Sequence, residues 1–458
     1  MTTLAEVRGD GEKTNPTKEE GMKKINAGVL PLLVAGLFAP AICVAAEEDG
    51  HKLELKVRGV HFDREFETSS RDRTQTGLGL QLNYESPYFG DIIGFGVSGY
   101  SVTKLDATGF VTTDVLSADN NGELHDSFGK IAQAFVKLKY QDKAQLKIGR
   151  QLYDSLLLIS STSRAVPNTY SGASGQLTLI PGLTLYGAMF DEWSRRGEAH
   201  FEKFATDRSD EGDIDYVAAA GARYAKGPYE INLEYVNSKD FLTKVGLVGA
   251  YTFNLADKNK LKLSAGLHTS RDAGKLFVTA AEGSELDDED VPGSRAGVTR
   301  SDNDGRGVYL DAEWTTGNVM LGAAVAKFDG AWIEDNFTGD HGMNPFPTGG
   351  VLADMTNNDE TVWMARAGYD WKDYVKGLKT TFKYKQGTGA RNSHISSRGE
   401  ADESELEVDV RYQIPLLKGL NLRYRYLEYN SDKTGRVDGV LQDNTDHRVY
   451  LDYTYRFF

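Results

Sequence analysis

The sequence predicts an all-β fold: a transmembrane antiparallel β-barrel of about 18 strands with long extracellular loops and short periplasmic turns. Three observations predict it: an export signal near the N-terminus, stretches of alternating polarity recurring from Leu53 to the end, and connections that alternate between long and short. After Ala46 no apolar run approaches the roughly 18 residues that a spanning helix needs. A chain of this kind can still cross a bilayer if its strands close on themselves and satisfy every backbone group internally.

Residues 1–21 are polar and lack an apolar period, so they read as a non-native upstream extension, with translation expected to start at Met22. Residues 22–46 follow the layout of a secretory signal peptide: Lys23 and Lys24, an apolar stretch from Ala27, and a small-residue end at Val44-Ala45-Ala46, after which cleavage is expected. Pro31 and Pro40 argue against a retained membrane anchor, and Ile42 argues against lipid attachment at Cys43. The barrel domain is then 47–458. Cys43 is the chain's one cysteine, which excludes an intrachain disulfide and a cysteine-rich metal site. A formal net charge of -15 without a long basic run excludes nucleic acid as a partner.

Apolar residues two apart mark the strands, as in Leu78-Leu80-Leu82-Tyr84 and Leu406-Val408-Val410-Tyr412. In chain order the expected strands are 53–66, 73–85, 92–103, 128–140, 144–151, 170–180, 183–191, 213–224, 229–236, 244–253, 260–268, 305–315, 319–328, 360–371, 378–386, 403–415, 419–431 and 446–458. The connections 104–127, 152–169, 192–212, 269–304 and 329–359 are long, whereas those between them, such as 141–143 and 181–182, are tight turns. A soluble β-sandwich also alternates, but nothing in it sorts connection lengths by parity. Aromatic residues gather near strand ends, Trp363 with Tyr369 and Trp371, and Tyr424 with Tyr426 and Tyr429, as membrane-interface girdles do.

If the apolar series faces lipid, the other series faces the lumen. On the last five strands and the first it contains Arg366, Lys379, Lys383, Lys385, Arg411, Arg423, Arg425, Arg448, Arg456, Arg58 and Arg64. These strands become neighbours once the barrel closes, so the cations form one basic wall that would draw anions through a narrow lumen. Glu405, Glu407 and Asp409 lie on the same face and would pair with part of it. The acidic run 282–290 reads as a solvated loop.

Other motifs fail on context. Gly94, Gly96 and Gly99 form a GxGxxG inside a strand with no helix after it. Asp302, Asp304, Gly307 and Glu313 fall on a calcium-loop template, but Arg306 occupies a ligand position and a strand follows. The histidines have no zinc spacing, so no metal and no cofactor is expected. There is no GxSxG, although a barrel hydrolase with catalytic residues on separate strands stays open as a weaker alternative.

The segment SSTSRAVPNTYSG resembles the third-loop motif of the OprD-type outer-membrane porins, with Arg164, Pro167, Thr169, Tyr170 and Gly172 at the matching positions. The opening hairpin RGVHFDREFETSSRDRTQTGLGLQLNYES is similar to the first hairpin of that family. The resemblance implies that loop 152–169 folds into the lumen, that an Arg and Lys ladder guides carboxylate-bearing solutes, and that no chemical step occurs. It makes Arg164, Tyr170, Arg58, Arg366, Lys379, Lys383, Arg411, Arg423, Arg425 and Arg448 the candidate pore-lining residues. The sequence departs from the family pattern at Ala165, Val166 and Thr162; the family usually has Asp at the last, so losing it argues against cationic substrates. Arg164 favours amino or organic acids over the neutral amino-sugar oligomers of chitoporin-like members, for which Tyr170, Trp193, Phe201 and Phe204 would supply a stacking slide. Expected partners are small solutes, outer-membrane lipid and lipopolysaccharide, and the barrel-assembly machinery through Phe458. A homotrimer is compatible with the sequence, which singles out no subunit contact.

Overall fold

A computed structural model of the chain describes residues 50–117, 123–206, 212–256, 258–277, 303–340, 344–393, 399–432 and 442–458. The predicted extension 1–21, the signal 22–46 and the acidic run 282–290 lie outside the described residues, as does Asp302.

The strands are β1 (Lys52–Phe66), β2 (Arg73–Glu85), β3 (Ile93–Gly109), β4 (Ser127–Tyr140), β5 (Ala144–Gln151), β6 (Thr169–Ile180), β7 (Leu183–Ser194), β8 (Phe204–Ala205), β9 (Asp213–Ile214), β10 (Val217–Lys226), β11 (Tyr229–Ser238), β12 (Leu242–Ala256), β13 (Asn259–Asp272), β14 (Asp304–Thr316), β15 (Val319–Asp329), β16 (Thr361–Asp370), β17 (Leu378–Arg391), β18 (Glu400–Gln413), β19 (Leu420–Ser431) and β20 (Asn444–Arg456). Leaving aside the two-residue ribbon β8–β9, each strand pairs with its neighbours in sequence, and β1 pairs with both β2 and β20 to close an 18-stranded antiparallel ring. Closure leaves no unpaired strand edge, which is what allows a sheet to sit in hydrocarbon.

The alternation sorts the side chains as expected. Leu233, Leu247 and Leu267 stand side by side in register on β11, β12 and β13, and all three face outward and are exposed. Aromatic residues ring the short-turn end: Tyr229 and Tyr251 lie 4.9 Å apart, Tyr369 and Trp371 4.7 Å, and Tyr455 and Phe457 4.9 Å. Tyr429 is not part of a girdle. It points inward, is fully buried, and donates a 2.6 Å hydrogen bond to Glu403.

Most strand boundaries shift by one to five residues from the sequence reading, and two changes stand out. The third strand runs six residues further, to Gly109, because its polar end still finds a partner in β2. The expected strand 213–224 is split: Asp213–Ile214 pairs with Phe204–Ala205 inside the loop 195–216, and the barrel strand begins at Val217.

The loops at the other end fold inward and build the two large apolar cores of the described residues. Leu157 and Leu158, Phe204 and Ile214, and Trp332, Phe337 and Phe346 come from three different loops and bury one another. On the opposite side Val115 and Leu116 pack with Ala165, Val166 and Phe62. Leu247→Arg places a charge on the lipid face near mid-strand and is expected to destabilise the barrel by about 2–4 kcal/mol. Denaturant titration of folding into lipid vesicles measures it.

Candidate functional site

Loop 152–168 leaves β5 at Gln151 and crosses the lumen. Near its start, Glu234 on β11 accepts hydrogen bonds from the Ser155 hydroxyl at 2.8 Å and from the backbone N–H groups of Leu156 at 2.8 Å and Leu157 at 3.2 Å. Further on, Arg58 on β1 donates to the carbonyls of Thr162 at 2.5 Å and Arg164 at 3.2 Å. Gly79 on β2 must lack a side chain there, since a Cβ would lie 2.3 Å from the Ala165 carbonyl oxygen. β11 and β1 stand almost opposite each other in the ring, so the loop is pinned to both sides of the barrel. Charge-assisted bonds of this kind are the stronger ones, and a buried carboxylate such as Glu234 needs its partners.

Facing the loop are Arg58, Arg423 and Arg425, which line a cavity of about 410 Å³ together with Asp154, Ser160, Ser161, Thr162, Ser163 and Asp452. The wall behind them is a row of shared ion pairs. Glu407 accepts from Arg425 at 2.6 Å and Lys383 at 3.1 Å, and Asp409 accepts from Arg423 at 2.6 Å and Arg411 at 2.9 Å. Arg58 pairs with Asp452 at 2.5 Å. Arg411 and Lys379 are mostly exposed nearer the short-turn end, Lys379 lying 3.5 Å from Asp370. Arg366 continues the row, held by Asp311 at 2.9 Å and Glu313 at 3.1 Å.

Three predicted residues sit elsewhere. Tyr170 is fully buried, stacked 4.9 Å from Phe190 with its hydroxyl on the Ile159 carbonyl, because Phe204 and Phe337 from two other loops close over it. Trp193 and Phe204 are buried in the same nest, and Phe201 lies beneath Arg150 at 4.2 Å, so these four rings do not form a slide. Arg164 stands behind the loop, 5.0 Å over the Phe62 ring and 3.8 Å from Asp114; burial, with Arg196, Arg448 and Arg64 nearby, holds it well below its usual pKa. Arg448 is buried against Asp446 at 2.8 Å. Arg164 is thus packed against the wall behind the loop and Arg448 is held by its own strand, while Arg58, Arg423 and Arg425 face the opening.

The sequence reading missed Asp154. It is exposed at the constriction, and no side-chain partner holds it among the described residues. The constriction therefore has an acid, supplied from the loop's start instead of position 162. Loop 330–360 is also tied to the wall. Glu405 accepts from the N–H groups of Val351 and Leu352, both at 2.8 Å, and pairs with buried Lys385 at 2.9 Å. The Asn357 amide bridges Glu360 and Glu403 at 2.9 Å each.

A closed, lipid-facing barrel with an inward loop and an arginine-faced opening is a membrane channel. The family model for outer membrane porins of the OprD family matches residues 48–457, and the chain belongs to that family. It is 26% identical to Porin D of Pseudomonas aeruginosa, over 94% of this chain and 96% of that one. It is 25% identical to the porin-like protein GalP of Pseudomonas putida, over 86% of this chain and 90% of that one. In fold it is similar to Acinetobacter baumannii OccAB3, with a TM-score of 0.75 and 22% identity, covering 89% of this chain and 99% of that one. It is also similar to Pseudomonas aeruginosa OpdK with vanillate, with a TM-score of 0.73 and 22% identity, covering 89% of this chain and 98% of that one. The protein is an outer-membrane channel.

Glu234→Ala strands the loop N–H groups at Leu156 and Leu157 and is expected to cost about 1.5–3 kcal/mol. It should appear as faster proteolysis of loop 152–168 and noisier open-channel current. Burial pushes Glu360 above the ordinary carboxylate range, although the Asn357 hydrogen bonds favour its charged form. The packed loop then keeps a proton that the loosened loop releases, so packing is firmest in acid and weakens as pH rises through the elevated value. Glu334, in the same loop, is raised by burial and by Asp354 and works in the same direction. Proteolysis of loop 330–360 should quicken as pH rises above the ordinary carboxylate range, and Glu360→Gln should reduce that dependence.

Proposed function

We propose that the channel carries small carboxylate-bearing solutes, amino or organic acids, down their gradient through the opening between loop 152–168 and the arginine wall, with no chemical step. The observation that carries this reading is the two-to-one sharing in the ladder: Lys383 and Arg425 share Glu407, and Arg411 and Arg423 share Asp409. Around Glu407 and Asp409 the wall therefore keeps a surplus of positive charge beside loop 152–168, in a lumen where a field is focused, whereas Arg366 further along is matched by two acids. Each guanidinium has five N–H donors, so an arginine already paired can still donate to a passing carboxylate. Partial neutralisation also keeps the hold weak, as flux through a pore requires.

Two further points support the reading. Tyr170, Trp193 and Phe204 are buried, which removes the stacking surface an amino-sugar oligomer would use. The similar OpdK structure is described with vanillate, an aromatic carboxylate. Under a salt gradient in a planar bilayer, the channel is expected to be anion-selective, and the double variant Arg423→Gln, Arg425→Gln should lose most of that selectivity. Benzoate should interrupt the wild-type current and a chito-oligosaccharide should not. An unchanged reversal potential in the double variant, or interruption by the sugar alone, overturns the carboxylate reading.

A further inference from the structure

Most lumenal cations have a carboxylate partner, and Arg223 on β10 is an exception. It faces the lumen at the short-turn side of the loop, is exposed, and has no carboxylate partner among the described residues. β10 lies across the ring from β19, which carries Arg423 and Arg425, so Arg223 stands on the wall opposite the ladder.

The groups around it donate more than they accept. In register, Arg223 is flanked by Thr184 on β7 and Asn232 on β11. The Tyr186 hydroxyl lies 2.8 Å from the Asn232 side-chain oxygen and 2.7 Å from Glu234, while the Asn232 amide nitrogen, beside the guanidinium, has no partner among the described residues. Arg223 and Asn232 line two adjoining cavities, one shared with Lys147, Asp154 and Gln176, the other with Glu230, Lys262 and Asp311. Lys147 has no carboxylate partner either; it lies 4.7 Å from the Phe135 ring. In the second cavity Glu230 is held by Lys262 at 2.7 Å and Asp311 by Arg366 at 2.9 Å. The acid left unpaired is Asp154, which also lines the constriction and so stands between the ladder and Arg223.

We propose that Arg223, with the Asn232 amide and the Thr184 hydroxyl, forms a second carboxylate-binding position on the short-turn side of the constriction. A solute leaving the ladder passes Asp154, which repels its carboxylate, and then meets a cation whose donors are not taken. Two weak positions with a repelling acid between them favour transfer over retention. The inference rests on the carboxylate reading above.

The test is single-channel recording with benzoate added to one chamber at a time, at about 0.1 M salt so that charges within roughly 10 Å remain felt. The orientation of each channel is assigned by which chamber's protease alters the current through the loops. Arg223→Gln is expected to slow benzoate association from the short-turn side by about tenfold, with the rate from the loop side unchanged, and Arg223→Lys is expected to restore most of it. Wild-type interruption from both sides with no change in Arg223→Gln overturns this position and leaves the ladder standing. A wild-type channel that benzoate interrupts from neither side overturns the carboxylate reading and this inference with it.

Discussion

The structure depends on one constraint: in hydrocarbon every backbone N–H and C=O of the sheet must find its partner within the sheet. Pairing of β1 with β20 meets it, Gly59 standing opposite Leu451 and Arg58 opposite Asp452. Once the ring is closed, strand alternation leaves no freedom about which residues meet lipid. Within the hydrocarbon band a polar or charged strand residue must then point inside, and the interior collects the charge that the outer band excludes.

An interior filled this way must neutralise itself, and the protein uses that need to hold its loops. Glu234 and Glu405 are wall carboxylates that take backbone N–H groups from loops 152–168 and 330–360. Arg58 does the converse, donating to loop carbonyls while paired with Asp452. Residues of one chemical type thus divide into those packed into the wall and those left facing the lumen. Arg448 is buried against Asp446 and Arg164 is packed over Phe62, whereas Arg423 and Arg411 keep exposed surface.

Much of this was legible in the sequence because a strand's period is local. Seeing Leu422, Tyr424 and Tyr426 on one face is enough to place Arg423 and Arg425 on the other, and closure makes β19 a near neighbour of β1. The loops have no period, and their contacts are long-range. Tyr170 reads as a loop aromatic beside a pore, and only the arrival of Phe337 from far along the chain buries it. Position 162 suggested a constriction without an acid, but Asp154, eight residues earlier, occupies that space because the loop doubles back through the Asp154 to Ile159 bridge. A sequence gives no spacing rule for such a return.

The crossing loop also has a mechanical meaning. A barrel one sheet thick is a thin shell, and thin shells flatten readily under sideways load. Loop 152–168 is fastened at Glu234 on one side and at Arg58 and Gly79 on nearly the opposite side, so it acts as an internal strut across the diameter. The bilayer's lateral pressure then bears on the same segment that sets the width of the opening, which ties the cross-section of the pore to the state of the membrane around it.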